Sequence, residues 1–123
     1  MGSHKDLKVW QESMNLVVEI YAKLNDFPKE ELFGLTSQVK RAVVSIPSNI
    51  AEGAGRQSNA EYVRFLYIAL GSASELETQI EIARRLGFIT ESATFEARVR
   101  QIKSMLSSLI KSLKSQETNT STI

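Results

Sequence analysis

A row of polar residues with directional hydrogen-bonding groups runs through the middle of the chain. Its members recur at steps of three and four, which places them on one helix face: Gln38, Arg41, Ser45, Asn49, Glu52 and Arg56. A solvated face usually carries Lys and Glu in excess, so this composition favours a paired polar seam. A ligand site and a plain solvent face are the alternatives. Arg41 and Glu52 lie too far apart on one helix to pair, so each needs a partner elsewhere.

A second, shorter polar row lies further along the chain and repeats this spacing. It consists of Ser72, Glu75 and Gln79. We expect the two rows to face each other at the inner surface of an oligomer, where Arg41 meets Glu75, and the sequence leaves open whether the seam pairs within a subunit or between subunits. At the same inner surface we expect Asn49, Ser72 and Gln79 to satisfy one another's hydrogen bonds.

The residue types needed for enzymatic chemistry are scarce. There is one histidine, His4, and no cysteine, which argues against a histidine-based triad, a thiolate nucleophile and a thiolate metal site. Acidic residues lie on the predicted helices without a Glu-x-x-His pattern, so a di-metal bundle site is not expected. They are Glu52, Glu75, Glu77 and Glu81. Gly53 and Gly55 follow a helix instead of a strand and indicate a turn, not a phosphate-binding loop. The sequence predicts no catalytic residue, metal or cofactor.

The charge of the chain is nearly balanced but unevenly distributed. The formal net charge is +1, while residues 1–31 carry −2 and residues 82–114 carry +5. If the chain has a surface that binds phosphate groups, it lies toward the C-terminal end. The candidate residues there are Arg84, Arg85, Arg98, Arg100, Lys103, Lys111 and Lys114. The plainer interpretation is a solvated helix face.

The length and composition indicate one globular domain. A chain of 123 residues with 42% hydrophobic and 24% charged residues can bury one modest core. No apolar run approaches the length of a membrane span, and neither cysteine nor a secretory signal is visible. We therefore expect a cytoplasmic protein without membrane contact.

Four segments carry apolar residues at steps of three and four, the pattern of amphipathic helices. The rows are Leu7, Trp10, Met14, Val17, Tyr21 and Leu24; then Leu35, Val39, Ala42, Ile46 and Ile50; then Tyr62, Leu66, Ala69, Ala73, Leu76, Ile80 and Ala83; then Phe95, Val99, Ile102, Leu106, Leu109 and Leu113. Asp6 suits the N-cap of the first helix, Ser58 with Glu61 forms a capping box for the third, and Thr90 suits the cap of the fourth. We predict a flexible N-terminus over residues 1–5, a bundle over 6–114 and a disordered tail over 115–123.

Pro47 lies inside the second predicted helix. An interior proline removes one backbone hydrogen bond and costs about 3 kcal/mol. Because the apolar and polar rows keep their register across Pro47, the sequence favours a continuous helix kinked there. A break with a restart at Asn49, capped and answered by Glu52, is the alternative.

These elements predict an all-α, antiparallel, up-down-up-down four-helix bundle. Apolar residues outside the rows exceed what one bundle can cover, above all Phe65 and Ile68 on the third helix. Tyr67, Leu70 and Ile82, together with Val18, Ile20, Val43 and Val44, add to this surplus. Contiguous exposed apolar patches usually mark protein interfaces, so we expect a closed homo-oligomer whose inner surface is the third helix and the polar seam.

Long runs of the sequence resemble a known bacterial family. They are RAVVSIPSNIAEGAGR at Arg41–Arg56, FLYIALGSASELETQ at Phe65–Gln79, DLKVWQ at Asp6–Gln11 and FPKEELFGLTSQ at Phe27–Gln38. The chain is similar to the four-helix-bundle proteins encoded in intervening sequences of 23S ribosomal RNA genes. The resemblance implies a ring-shaped homopentamer without catalytic activity. It also implies a relation to the accessory variability proteins of diversity-generating retroelements, basic pentameric barrels thought to bind nucleic acid and a reverse transcriptase. The net charge of +1 departs from those basic relatives.

Two functions therefore stay open. One is an oligomeric accessory factor for nucleic acid or a ribonucleoprotein, in which the basic residues of each subunit add up around a ring to bind RNA or DNA. The other is a scaffold that presents several copies of one surface to another protein.

Overall fold

The computed structural model describes residues 2–121, with side chains as far as Gln116. Four α-helices form it: α1 (Lys8–Leu24), α2 (Leu35–Ala54), α3 (Asn59–Arg85) and α4 (Ser92–Ser121). Short 3-10 helices at His4–Asp6 and Lys29–Glu31 precede α1 and α2. Residues 2–121 contain no strand, so the predicted all-α class is confirmed.

Neighbours in sequence are neighbours in space, and α4 closes the bundle against α1. The contacts between α3 and α4 show the antiparallel direction. Glu77 on α3 bonds to Lys103 on α4, whereas Tyr67, ten residues earlier on α3, bonds to Lys114, later on α4. The up-down-up-down arrangement predicted from the sequence is therefore the observed one.

The buried core runs along the bundle axis and follows the predicted rows on α2, α3 and α4. The least exposed large side chains come from all four helices: Leu16, Val43, Ile46, Ile50, Leu66, Leu76, Val99, Ile102 and Leu106. Their removal from water supplies most of the stabilisation, at about 1.5 to 3 kcal/mol for each fully buried side chain.

The buried row of α1 differs from the predicted one. The residues that face the core are Val9, Ser13, Leu16, Ile20 and Leu24. Met14 and Tyr21, which the sequence assigns to the core, are 39% and 40% exposed. The observed row was missed because Ser13 lies within it, where its hydroxyl donates to the Trp10 carbonyl at 2.9 Å and needs no other partner.

The apolar surplus is smaller than expected on the first two helices. Ile20 and Val43 are 3% and 0% exposed, so the prediction that they lie outside the core is wrong. Val18 and Val44 are 68% and 38% exposed, in agreement with the sequence.

Helix α2 continues unbroken through Pro47 to Ala54, so the alternative of a restart at Asn49 is wrong. The kink itself stays a prediction. Gly53 is needed for close packing because a Cβ atom there would lie 2.8 Å from the Phe65 Cβ and 3.1 Å from the Tyr62 carbonyl oxygen. The last turn of α2 therefore lies directly against the first turns of α3.

The ends of the last two helices combine expected and unexpected features. The Ser58 hydroxyl accepts the Glu61 backbone N–H at 3.2 Å, which is one of the two bonds of the predicted capping box. Gly87, beyond α3, has a φ of 80°, a conformation that favours glycine. Helix α4 begins at Ser92, two residues after the predicted cap Thr90.

Both segments that the sequence predicts to be flexible or disordered carry helical structure where they are described. Helix α4 extends to Ser121, where the sequence predicts disorder from residue 115. No glycine or proline interrupts residues 92–121, so the helix can continue past the last core position. Residues 122–123 of the predicted tail, like Met1 of the predicted flexible N-terminus, lie outside the described residues. Residues 4–6 form a 3-10 turn capped by Ser3, and their flexibility stays a prediction.

Candidate interaction surfaces

The centre of the polar seam joins α2 to α3 within one chain. The hydroxyls of Ser45 and Ser72 lie 2.7 Å apart and share a hydrogen bond. The Asn49 amide donates to the Ser45 carbonyl at 2.8 Å and to its hydroxyl at 2.9 Å. The three side chains are partly buried, so this part of the seam is paired as predicted, although the pairing is within the subunit.

Other pairs that the sequence predicts are not formed within the chain. Asn49 bonds to Ser45 and makes no bond to Ser72 or Gln79. The Gln79 side chain is buried, at 5% exposure, and no described residue forms a hydrogen bond with its Oε1. It lies in a small apolar space beside Val39 and Ile80. Burial therefore removes this oxygen from bulk water without a hydrogen bond from another described residue in exchange.

Arg41 and Glu75 are both exposed, and no contact between them occurs among residues 2–121. Gln38 is likewise exposed on the outer side of α2. A meeting of Arg41 with Glu75 between subunits stays a prediction.

The end of the polar row pairs locally and packs on α3. Glu52 accepts from Arg56 at 3.0 Å, so its partner lies four residues further along the chain, just beyond the end of α2. The Arg56 guanidinium also lies 4.7 Å from the centre of the Phe65 ring, and that of Arg64 lies 5.7 Å away. Phe65 is thus half-buried beneath two guanidinium groups, an arrangement that stabilises the ring through cation–π attraction.

The outer side of α3 keeps apolar side chains in solvent. Ile68 is 41% exposed and Ile82 is 42% exposed, with the exposed Gly71 and Glu75 between them along the helix. The predicted surplus on α3 is therefore confirmed for Ile68, Ile82 and Tyr67, whereas Phe65 and Leu70 are half-buried. Large exposed apolar residues elsewhere are Met14, Val18, Tyr21, Leu32, Phe33, Val44, Tyr67 and Leu86.

Two of the candidate phosphate-binding residues converge on one carboxylate. Glu81 accepts from Arg84 at 3.0 and 2.6 Å and from Arg85 at 2.8 Å. The hydrogen bonds from Arg84 and Arg85 hold the pKa of Glu81 at about 2. The same Glu81 bond raises the pKa of Arg84. The negative charge of Glu81 therefore offsets part of the positive charge of Arg84 and Arg85.

Two further candidates are bonded to acids on neighbouring helices. Arg98 on α4 lies 2.7 Å from Glu19 on α1, and its side chain is 20% exposed. Lys103 on α4 lies 3.1 Å from Glu77 on α3. These ion pairs link α4 to both of its neighbours, so Arg98 and Lys103 have a structural role in the bundle.

The remaining candidates lie along the outer side of α4. Arg100 and Lys111 are exposed and have no partner within the described part of the chain. The Lys114 ammonium donates to the Tyr67 hydroxyl at 2.9 Å and lies 5.2 Å from the centre of that ring. Of the seven basic residues proposed from the sequence, four are therefore bonded to acidic residues and three lie on one side of α4.

A groove between α3 and α4 brings two of these lysines together with apolar surface. We call it the α3–α4 groove; its volume is about 510 Å³. It is lined by Tyr67, Leu70, Ser107, Ile110, Lys111 and Lys114. Sequence reasoning identified the two lysines but not the groove, because its walls come from residues about forty positions apart.

A protruding segment at the other end of the bundle was missed entirely. It comprises Glu30, Glu31, Leu32 and Phe33, and we call it the acidic knob. Phe33 is 93% exposed and Leu32 is 51% exposed. The Glu31 carboxylate accepts the Leu35 backbone N–H at 3.1 Å and so satisfies the start of α2. The feature of the sequence that could have revealed the knob is Phe33, an aromatic residue that belongs to none of the four helical rows and lies between Pro28 and Gly34.

Within residues 2–121, no group of three or more His, Asp or Glu side chains is placed to hold a metal ion. In the same part of the chain, no helix has both the length and the hydropathy required to cross a bilayer. The surfaces with distinctive chemistry are therefore the outer side of α3, the α3–α4 groove and the acidic knob.

These features define an all-α bundle with exposed apolar surface. Residues 5–108 match the 23S rRNA-intervening sequence protein family, and the chain belongs to that family. It is similar to a solved structure described as a protein of unknown function from the S23 ribosomal protein family of Bacteroides thetaiotaomicron VPI-5482. The two are 29% identical with a TM-score of 0.78, and the match covers 84% of this chain and 98% of that chain. No curated protein matches the chain.

Proposed function

We propose that this chain is a non-enzymatic cytoplasmic protein that works as a closed homo-oligomer and presents several copies of one surface to a protein partner. The observation that carries the proposal is the apolar surface left in solvent by the folded subunit, from Phe33 at 93% exposure to Ile68 and Ile82 on α3. Each large side chain that becomes buried contributes about 1.5 to 3 kcal/mol. A pentameric ring, which the family resemblance implies, is the assembly we propose.

The polar groups of the surface are consistent with burial between subunits. Arg41 and Glu75 lie on α2 and α3, beside the seam formed by Ser45 and Ser72, and neither has a partner within residues 2–121. In an assembly, a carboxylate and a guanidinium from different subunits can pair there and set the orientation of the interface.

The experiment that tests this proposal is native mass spectrometry of the purified protein, followed by affinity capture with and without nuclease. We expect a defined multiple of the 13.7 kDa subunit and a protein partner that remains bound after nuclease treatment. A single subunit would contradict the assembly. Loss of every partner on nuclease treatment would contradict the scaffold role.

A second candidate is an accessory factor for RNA or DNA. The observation that favours it is the row of Arg100, Lys111 and Lys114 on one side of α4, since a ring would repeat this row around its circumference. The four other basic candidates are bonded to carboxylates, which lowers the positive potential that each subunit contributes. We therefore place it second.

Filter binding with structured RNA and duplex DNA at two salt concentrations tests the second candidate. If it is right, affinity falls steeply with salt, and the double variant Arg100→Glu with Lys111→Glu weakens binding at low salt. A matched control is Lys29→Glu, at the other end of the bundle. Absence of binding at low salt would remove the nucleic-acid role.

A further inference from the structure

We infer that the acidic knob of one subunit docks in the α3–α4 groove of a second copy of this chain. The inference rests on the proposed self-association and specifies which surfaces carry it. Its starting point is Phe33, whose 93% exposure leaves a full aromatic side chain in water. Aromatic residues that protrude in this way are typical anchors of protein interfaces, where they fill a pocket on the partner.

The α3–α4 groove has an apolar surface against which the acidic knob can pack. Its floor is apolar, with Leu70 and Ile110, and the ring of Tyr67 forms one wall, where Phe33 could pack edge to face. The groove is open to solvent and has a volume of about 510 Å³, which leaves room for the side chains of Leu32 and Phe33 together.

The positions of the basic residues favour the α3–α4 groove over the groove between α1 and α2. Glu30 is exposed and makes no bond within the described residues, so its carboxylate is available to the lysines at the groove. Lys111 and Lys114 line the α3–α4 groove. The groove between α1 and α2, with a volume of about 380 Å³, has no Lys or Arg among its lining residues. Opposite charges across an interface fix its register and raise the association rate.

The knob cannot reach the groove of its own subunit. Ser45 on α2 faces Ser72 on α3, so in this antiparallel pair Gly34, beside Phe33, lies level with Ala83. The α3 residue of the groove nearest to this level is Leu70, thirteen residues earlier, which at 1.5 Å per residue is about 20 Å away along the bundle. The contact must therefore form between copies.

The resulting interface is head to tail. Knob and groove are different surfaces, so a docked pair still has one free knob and one free groove, and further copies can add until a ring closes. In a two-fold interface, by contrast, one face packs against the same face of the other copy. Because knob and groove are separate surfaces here, a variant that lacks the knob can still bind a variant that lacks the groove.

The experiment uses one variant for each surface. Phe33→Asp removes the anchor and leaves the groove intact, whereas Ser107→Trp fills the groove and leaves the knob intact. Both positions are exposed, so the helical circular dichroism spectrum of each variant should match that of the wild type. Each variant alone should sediment as a monomer, with a dissociation constant raised at least about 30-fold, which corresponds to an anchor worth 2 kcal/mol.

An equimolar mixture of Phe33→Asp and Ser107→Trp retains one productive knob and one productive groove. We expect it to form a one-to-one heterodimer and nothing larger. Val18→Asp is the matched control, since Val18 is also an exposed apolar residue, at 68%, but lies on α1 away from both surfaces. It should assemble like the wild type.

The outcomes separate this inference from the proposed function. A monomeric wild type would overturn both. An oligomeric wild type whose two variants also remain oligomeric, or a mixture that yields no heterodimer, would overturn the docking of knob in groove and leave self-association in place.

Discussion

Replacement of Gly53 by alanine tests how closely α2 approaches α3. In a helix interior, alanine is favoured over glycine by about 0.5 to 1 kcal/mol, so propensity alone predicts a gain in stability. At Gly53 the added Cβ would lie 2.8 Å from the Phe65 Cβ and 3.0 Å from a ring carbon of Tyr62. Such contacts force the two helices apart, and overpacking of this kind costs about 1 to 3 kcal/mol. We expect Gly53→Ala to be destabilising overall.

The matched control is Gly71→Ala, on the exposed side of α3. A Cβ at Gly71 meets no atom within 4 Å, so only the propensity term applies and the variant should gain about 0.5 to 1 kcal/mol. Urea unfolding followed by circular dichroism, at a protein concentration where both variants have the same oligomeric state, measures both changes. If Gly53→Ala is as stable as Gly71→Ala, the close approach of α2 and α3 is refuted.

Three further substitutions test other contacts. Gln79→Met should raise the free energy of unfolding by about 1 to 3 kcal/mol, because it removes a buried oxygen without a partner, and a loss of stability would show that the amide is satisfied. Ser45→Ala should lower the free energy of unfolding by about 0.5 to 1.5 kcal/mol, because the Ser72 hydroxyl and the Asn49 amide each lose a hydrogen-bond partner, and an unchanged urea midpoint would contradict the shared bond. Glu81 has a pKa of about 2 in the folded chain against an ordinary value of 4.5, so its contribution is complete above about pH 4.5 and is lost as the pH falls toward 2. The difference in melting temperature between wild type and Glu81→Gln should therefore narrow between pH 5 and pH 3, and a constant difference would argue against the bonds to Arg84 and Arg85.

The helical architecture could be predicted because it depends on local patterns. Rows of apolar residues at steps of three and four set the faces of α2, α3 and α4, and the Ser58 cap marks the start of α3. The face of α1 could not be predicted in the same way. Ser13 lies in its buried row, and the self-satisfied hydroxyl that makes this possible is a property of the folded helix.

The candidate surfaces were harder to predict because they depend on pairs of elements. The positive charge of α4 is visible in the sequence, but the bonds of Arg98 to Glu19 and of Lys103 to Glu77 join distant parts of the chain. The bonds from Arg84 and Arg85 to Glu81 span three and four residues and could have been read from the spacing.

The acidic knob shows a different limit of pattern analysis. Phe33 belongs to no helical row, and its 93% exposure becomes evident only when the turn before α2 is placed in space. A residue of this kind carries no periodic signal, although it is the most exposed large hydrophobic residue in the described part of the chain.

The most direct test of the account is sedimentation equilibrium of the wild-type protein over a range of micromolar concentrations. We predict a single closed species whose mass is a fixed multiple of 13.7 kDa across the range. A species of 13.7 kDa at every concentration would contradict the claim that the exposed apolar surface of this bundle is covered by other copies of the chain.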